Sequence, residues 1–251
     1  MNGAVTISTA RGHQAVIRAR PRPRFYAGLC GLLLLIVLTG FARTFYLRAL
    51  LDVPQVPIYV LVHGAVLTVW FTGLLLQAVL VSVGRTSTHR RFGWVVAGVG
   101  LAVVAITGPV ILNLAPRQRA LGADIDARVV SLVWLDLSIL VAFAVFLAAG
   151  VLMRHRPEWH KRLMLLASVT IASPALGRAW NLAPMLRGLN STLTTLGLAA
   201  FLAGLAAHDF ASDKRIHPAT LTAGLLLMAL RTVAPLIAAS EFGRSFVQAL
   251  G

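Results

Sequence analysis

The segment FYAGLCGLLLLIVLTGFAR, residues 25–43, decides the fold class of this chain. It contains no acidic residue, and its central run, residues 32–38, shows no alternation of apolar and polar positions. A helix needs about 20 apolar residues to cross a bilayer, and this segment is nearly that long. A lone strand cannot satisfy its backbone polar groups in lipid, and a strand of an outer-membrane barrel would alternate. The segment therefore predicts a transmembrane helix.

The composition of the whole chain agrees with a membrane protein. Of its 251 residues, 58% are hydrophobic and only 12% are charged, whereas a soluble domain carries about 25% charged residues. This composition excludes a water-soluble enzyme. The single cysteine, Cys30, excludes an intrachain disulfide and any CxxC metal or redox motif.

Six more apolar segments follow, and together they predict an all-α, polytopic transmembrane bundle of about seven spans. The simplest arrangement is one helix followed by three helical hairpins. Arg231 and Pro235 interrupt the last segment. The predicted spans are residues 25–43, 56–83, 92–114, 129–153, 163–180, 191–207 and 219–239.

The basic residues predict the orientation and the partners. Arginines crowd residues 1–24 and the loops that begin at Arg85, Arg154 and Lys214. Cytoplasmic loops carry such an excess, so we expect the N-terminus inside a bacterial inner membrane and the C-terminus outside. Residues 1–24 are predicted to form a flexible basic tail, and residues 25–251 a single transmembrane domain. The net charge of +15 is then explained by anionic lipid headgroups at the cytoplasmic face, not by nucleic acid.

A short repeat marks two of the predicted inner loops. Residues 85–92 read RTSTHRRF and residues 156–163 read RPEWHKRL, so both follow the form Arg-x-x-x-His-basic-Arg-apolar. Each copy opens an odd-numbered span. Weak internal symmetry of this kind is common in transporters and in helical redox proteins, although selection for basic inner loops also produces it.

Histidines at the inner boundary form the first candidate site. His89, His160 and His208 lie at similar predicted depths on different helices. Two neutral imidazoles at equal depth suit the axial positions of a b-type haem. The adjacent cations Arg90, Arg91, Lys161 and Arg162 could neutralise its propionates. The alternative is that these side chains only mark the headgroup region, and the sequence predicts no metal site beyond this haem.

A second candidate site lies toward the predicted outer face. His63, Asp136 and Arg231 each stand about seven or eight residues from the outer end of a span, roughly 10–12 Å deep. A charged group at that depth normally has a partner inside the bundle. We therefore expect Asp136 to lie within reach of His63 or Arg231, in a ligand or proton site or as a pair that only fixes packing.

Three further residues extend this second site. His63, Trp70 and Gln77 repeat every seven residues, which places a polar and aromatic stripe on one face of the second span. Arg178 ends the fifth span on the same side of the membrane.

Three motifs carry a resemblance to known proteins. They are HGxxxxxW at residues 63–70, GRxxxHRRxG at 84–93 and RPxxHKRLM at 156–164. Together they resemble a group of uncharacterised bacterial multi-pass membrane proteins and, more remotely, membrane haem proteins of the cytochrome b561 and ferric-reductase type. The remote resemblance implies haem ligands at His63, His89 and His160.

Three functions remain open at this stage. The first is a membrane redox or haem-binding protein. The second is a carrier for a small molecule or protons with an outward-facing polar cavity around His63, Asp136 and Arg231. The third is a non-enzymatic assembly subunit of a membrane complex. The sequence leaves open whether the protein is an enzyme.

Overall fold

The computed structural model describes residues 24–180, 182, 185 and 189–251. The basic tail predicted for residues 1–24 lies outside the described residues, apart from Arg24.

Within the described residues the chain is a bundle of helices without strands. Six helices are long and apolar enough to cross a membrane, and the shorter apolar helix α1 precedes them. The chain is thus an integral, multi-pass membrane protein, and the prediction of about seven spans is confirmed. The helices are α1 Arg24–Gly40, α2 Ile58–Ser82, α3 Thr86–Leu112, α4 Leu114–Ala120, α5 Ala127–Leu152, α6 Pro157–Trp180, α7 Asn190–Asp213, α8 Pro218–Ala239 and α9 Glu241–Leu250.

Helix α6 is the centre of the bundle. It packs against α1, α5, α7 and α8, and it is the most buried of the long helices. Small residues make this possible, because they let helix backbones approach closely in lipid. Ala167, Ala172 and Ala175 of α6 are buried, and Gly40 at the end of α1 lies against the backbone of Ala175.

Short connections make successive long helices antiparallel, which gives the bundle two distinct ends. At one end, α2 turns into α3, α5 into α6 and α7 into α8. We call this the basic end, because these three connections carry Arg85, Arg154, Arg156, Lys214 and Arg215. The opposite end carries α4 and α9, two short helices that the sequence analysis did not predict. They pack on each other and on α5, where the Trp134 indole N–H donates to Gly243 O at 3.0 Å.

Candidate functional site

The basic end brings together two of the predicted histidines. His89 lies in the first turn of α3 and His160 in the first turn of α6, and both are half-buried. Their ring centres are 6.2 Å apart, with the ring planes at 76°. The two rings meet because α3 and α6 begin at the same end of the bundle.

A backbone carbonyl fixes the orientation of His160. Its Nδ1 lies 2.8 Å from the carbonyl oxygen of Gly150 in α5. Because a carbonyl oxygen only accepts hydrogen bonds, Nδ1 carries the proton in the neutral ring. The lone pair of His160 is therefore on Nε2.

Gln77 holds the other histidine. This side chain of α2 is 7% exposed. In the amide orientation that satisfies its hydrogen-bonding neighbours, its nitrogen donates to both Nδ1 and the backbone oxygen of His89. Its amide oxygen accepts from the Gly93 N–H at 3.1 Å. Gln77 was predicted to belong to the site near the outer face, but the structure places it beside His89 at the basic end.

The other two predicted haem ligands lie elsewhere. The Nδ1 of His63 is 3.3 Å from the hydroxyl oxygen of Thr107 in α3. The ring of His208 stacks on Phe25 of α1, with ring centres 3.8 Å apart. Of the four predicted ligands, only His89 and His160 thus form a pair. Among the described residues no group of three or more His, Cys, Asp or Glu side chains could hold a metal ion.

A buried ion pair joins three helices at the basic end. Arg162 of α6 is 1% exposed and Asp209 of α7 is 0% exposed. One carboxylate oxygen accepts from Nε and Nη2 of Arg162 at 3.0 and 2.5 Å. The other accepts from the Thr220 hydroxyl at 2.6 Å and the His217 N–H at 3.2 Å. Because both oxygens are occupied, we interpret this cluster as a clamp between α6, α7 and α8.

This clamp was not predicted from the sequence. The sixth span was predicted to end at residue 207, so Asp209 fell into a loop, whereas α7 continues to Asp213. Arg162 was predicted to belong to the basic inner boundary and to neutralise haem propionates, whereas its side chain is buried against Asp209. The sequence signal for this pair was Asp209, an acidic residue directly after His208, since the segment that opens α6 offers several basic partners.

Near the opposite end, the expected pair of Asp136 with Arg231 does not form. Arg231 instead donates from Nε to the Thr195 hydroxyl at 2.7 Å and from Nη2 to Ser191 O at 3.1 Å. No ion pair involves Asp136 in the part of the chain that the structure describes. Arg178 donates to Pro174 O at 3.4 Å and its guanidinium lies over the Phe41 ring, 4.6 Å from the ring centre. The physical reason is the rotation of α8, which directs Arg231 toward α7.

The polar stripe of α2 faces the interior of the bundle. Trp70 is fully buried, and its indole N–H donates to the Ser168 hydroxyl of α6 at 3.1 Å. Its ring packs edge-on against Phe143 of α5 at 5.1 Å. Each member of the stripe thus contacts a polar group on another helix, and Trp70 acts here as a packing residue.

A small cavity lies beside Arg231. Its lining combines the side chains of Ser138, Ser173 and Arg231 with apolar residues of α5, α7 and α8. The volume is about 10 Å³, which is room for about one water molecule. This cavity is too small to hold a transported solute.

No protein-family model, curated protein or solved structure matches this chain. A function must therefore be argued from the geometry of the sites themselves.

Proposed function

We propose that this membrane protein binds a b-type haem between His89 and His160 and takes part in electron transfer. The observation that carries the proposal is the approach of two half-buried imidazoles from α3 and α6, with ring centres 6.2 Å apart. His89 and His160 would hold the iron of a b-type haem, since neutral imidazoles are the ligands that such an iron takes.

The hydrogen-bond partner of His160 supports this assignment. A metal-binding histidine usually donates its second ring N–H to a carbonyl or carboxylate group, which orients the ring. His160 meets this requirement directly, since its Nδ1 donates to Gly150 O and leaves Nε2 free to bind. His89 does not meet it in this orientation, because the Gln77 amide nitrogen donates to its Nδ1; the amide would turn before His89 could bind iron through Nε2.

The surrounding charges suit the acidic edge of a haem. Arg90 and Arg91 are exposed next to His89, so they are available to neutralise propionate groups. Lys161, beside His160, is already paired with Glu158 at 2.7 Å. A bound haem would supply reversible one-electron chemistry, while the chain would supply two ligands and the orientation of the His160 ring.

Haem titration of single variants tests this proposal. The haem-free chain in mild detergent should bind one haem with a Soret band, and His89→Ala and His160→Ala should each abolish that band. His63→Ala and His208→Ala serve as matched controls and should retain it, because neither ring contacts the pair. Loss of the band in a control but not in His160→Ala would overturn the assignment. A wild-type chain that binds no haem would overturn the function.

We also propose that the basic end faces the cytoplasm of a bacterial inner membrane. Exposed arginines at this end, which include Arg85, Arg154 and Arg156, would meet anionic headgroups there. Each such contact is worth about 1 kcal/mol near the surface. A reporter fused after Gly251 should then be active only outside the cytoplasm, and cytoplasmic activity of that fusion would reverse the orientation.

A further inference from the structure

The Gln77 amide has one orientation that satisfies its backbone neighbours. In that orientation its nitrogen donates to His89 O and its oxygen accepts from the Gly93 N–H, each at 3.1 Å. The reverse orientation would place the Gln77 amide oxygen against His89 O and the Gln77 amide nitrogen against the Gly93 N–H. Because a backbone carbonyl cannot donate and a backbone N–H cannot accept, these two contacts decide the orientation without reference to the imidazole.

This orientation determines the tautomer of His89. The same amide nitrogen that meets His89 O also donates to Nδ1 of the ring. The Nδ1 atom must then accept, so the ring proton of neutral His89 is on Nε2. His160 has the opposite arrangement, since its Nδ1 donates to Gly150 O. The two rings of the pair therefore carry their protons on different nitrogens.

We propose that Gln77 is a positioning residue that holds His89 in the tautomer with the proton on Nε2, and so sets which ring of the pair is ready to bind iron. This role toward iron rests on the proposed haem function, whereas the tautomer itself does not. His160 presents a free Nε2 lone pair in the haem-free chain. His89 presents one only after its proton has moved to Nδ1 and the Gln77 amide has turned its oxygen toward that atom.

Nitrogen NMR of the haem-free full chain tests the tautomer. In protein with ¹⁵N-labelled histidine, at a pH where the rings are neutral, we expect a protonated Nε2 for His89 and a protonated Nδ1 for His160. The His89→Ala and His160→Ala variants assign the signals. In Gln77→Leu, which has no amide, the His89 signals should move toward the other tautomer, while those of His160 stay unchanged as an internal control.

A second variant keeps the inference testable if Gln77→Leu does not fold. Gln77→Glu retains an oxygen for the Gly93 N–H but cannot donate to His89 in its ionised form, so the His89 proton should move to Nδ1. A wild-type His89 with its proton on Nδ1, or signals that stay unchanged in both variants, would overturn the role of Gln77.

Haem titration separates this inference from the proposed function. Gln77→Leu should bind haem faster than the wild type, because no amide has to turn before His89 binds. Equal binding rates would overturn the effect of Gln77 on ligation. If neither protein binds haem while the NMR shifts occur as expected, the haem function fails and the role of Gln77 in setting the tautomer stands.

Discussion

Removal of the Asp209 carboxylate is the sharpest test of the clamp between α6, α7 and α8. In Asp209→Ala, Arg162 remains buried at 1% exposure and loses both hydrogen bonds to the missing carboxylate. The Thr220 hydroxyl and the His217 N–H lose their acceptor as well. Breaking a buried ion pair costs roughly 3–5 kcal/mol when the remaining charge has no partner. Because Arg162 keeps its ion pair with Glu158, we expect a loss at the lower end of that range, about 3 kcal/mol.

Unfolding of the detergent-solubilised chain by a denaturing detergent measures this loss, with three comparison variants. Glu158→Gln removes the half-exposed partner of Arg162 and should change the unfolding free energy by about 1 kcal/mol or less. Asp209→Asn keeps the shape and part of the hydrogen bonding, so it should fall between the wild type and Asp209→Ala.

The double variant Arg162→Leu with Asp209→Leu should recover much of the loss, since no unpaired charge remains. Equal stability of Asp209→Ala and the wild type would refute the view that this pair holds the three helices together.

Three further comparisons test packing and pairing. Gly40→Ala should destabilise the bundle by about 1–3 kcal/mol in the same unfolding assay, because a Cβ there meets the backbone of Ala175. Gly28→Ala on the same helix is the control and should be neutral, because a Cβ there meets no other atom within 4 Å. Trp70→Phe should lose about 1–2 kcal/mol with the hydrogen bond to Ser168, while Trp94→Phe, at a side chain 60% exposed, should stay within about 0.5 kcal/mol. In a double-mutant cycle, Asp136 and Arg231 should couple by about 0.5 kcal/mol or less, because Arg231 bonds to Thr195 and Ser191 of α7 instead; a clearly larger coupling would restore the pair expected from the sequence.

The number of spans was predictable because the length of an apolar run directly reports the thickness of the bilayer core. Pro235 did not break the last span, since α8 continues through it to Ala239. The short helices α4 and α9 were not predicted, because each has fewer than eleven residues and neither contains a long apolar run.

The candidate site was predictable in depth but not in rotation. His89 and His160 occupy equivalent places in two copies of one motif, so their common depth followed from the sequence. No sequence pattern reports how a helix is rotated about its own axis. This rotation decides that Arg231 faces α7 and that Gln77 faces α3. To predict the pair of Arg162 and Asp209, one would have to know both the rotation of α6 and the residue at which α7 ends, Asp213.

The most direct measurement is the reduced-minus-oxidised absorption spectrum of the full chain, purified in mild detergent from haem-sufficient cells. We predict the bands of a b-type haem at one haem per chain, lost in both His89→Ala and His160→Ala and kept in His208→Ala. A folded, colourless wild-type chain from such cells would contradict the haem site at the basic end.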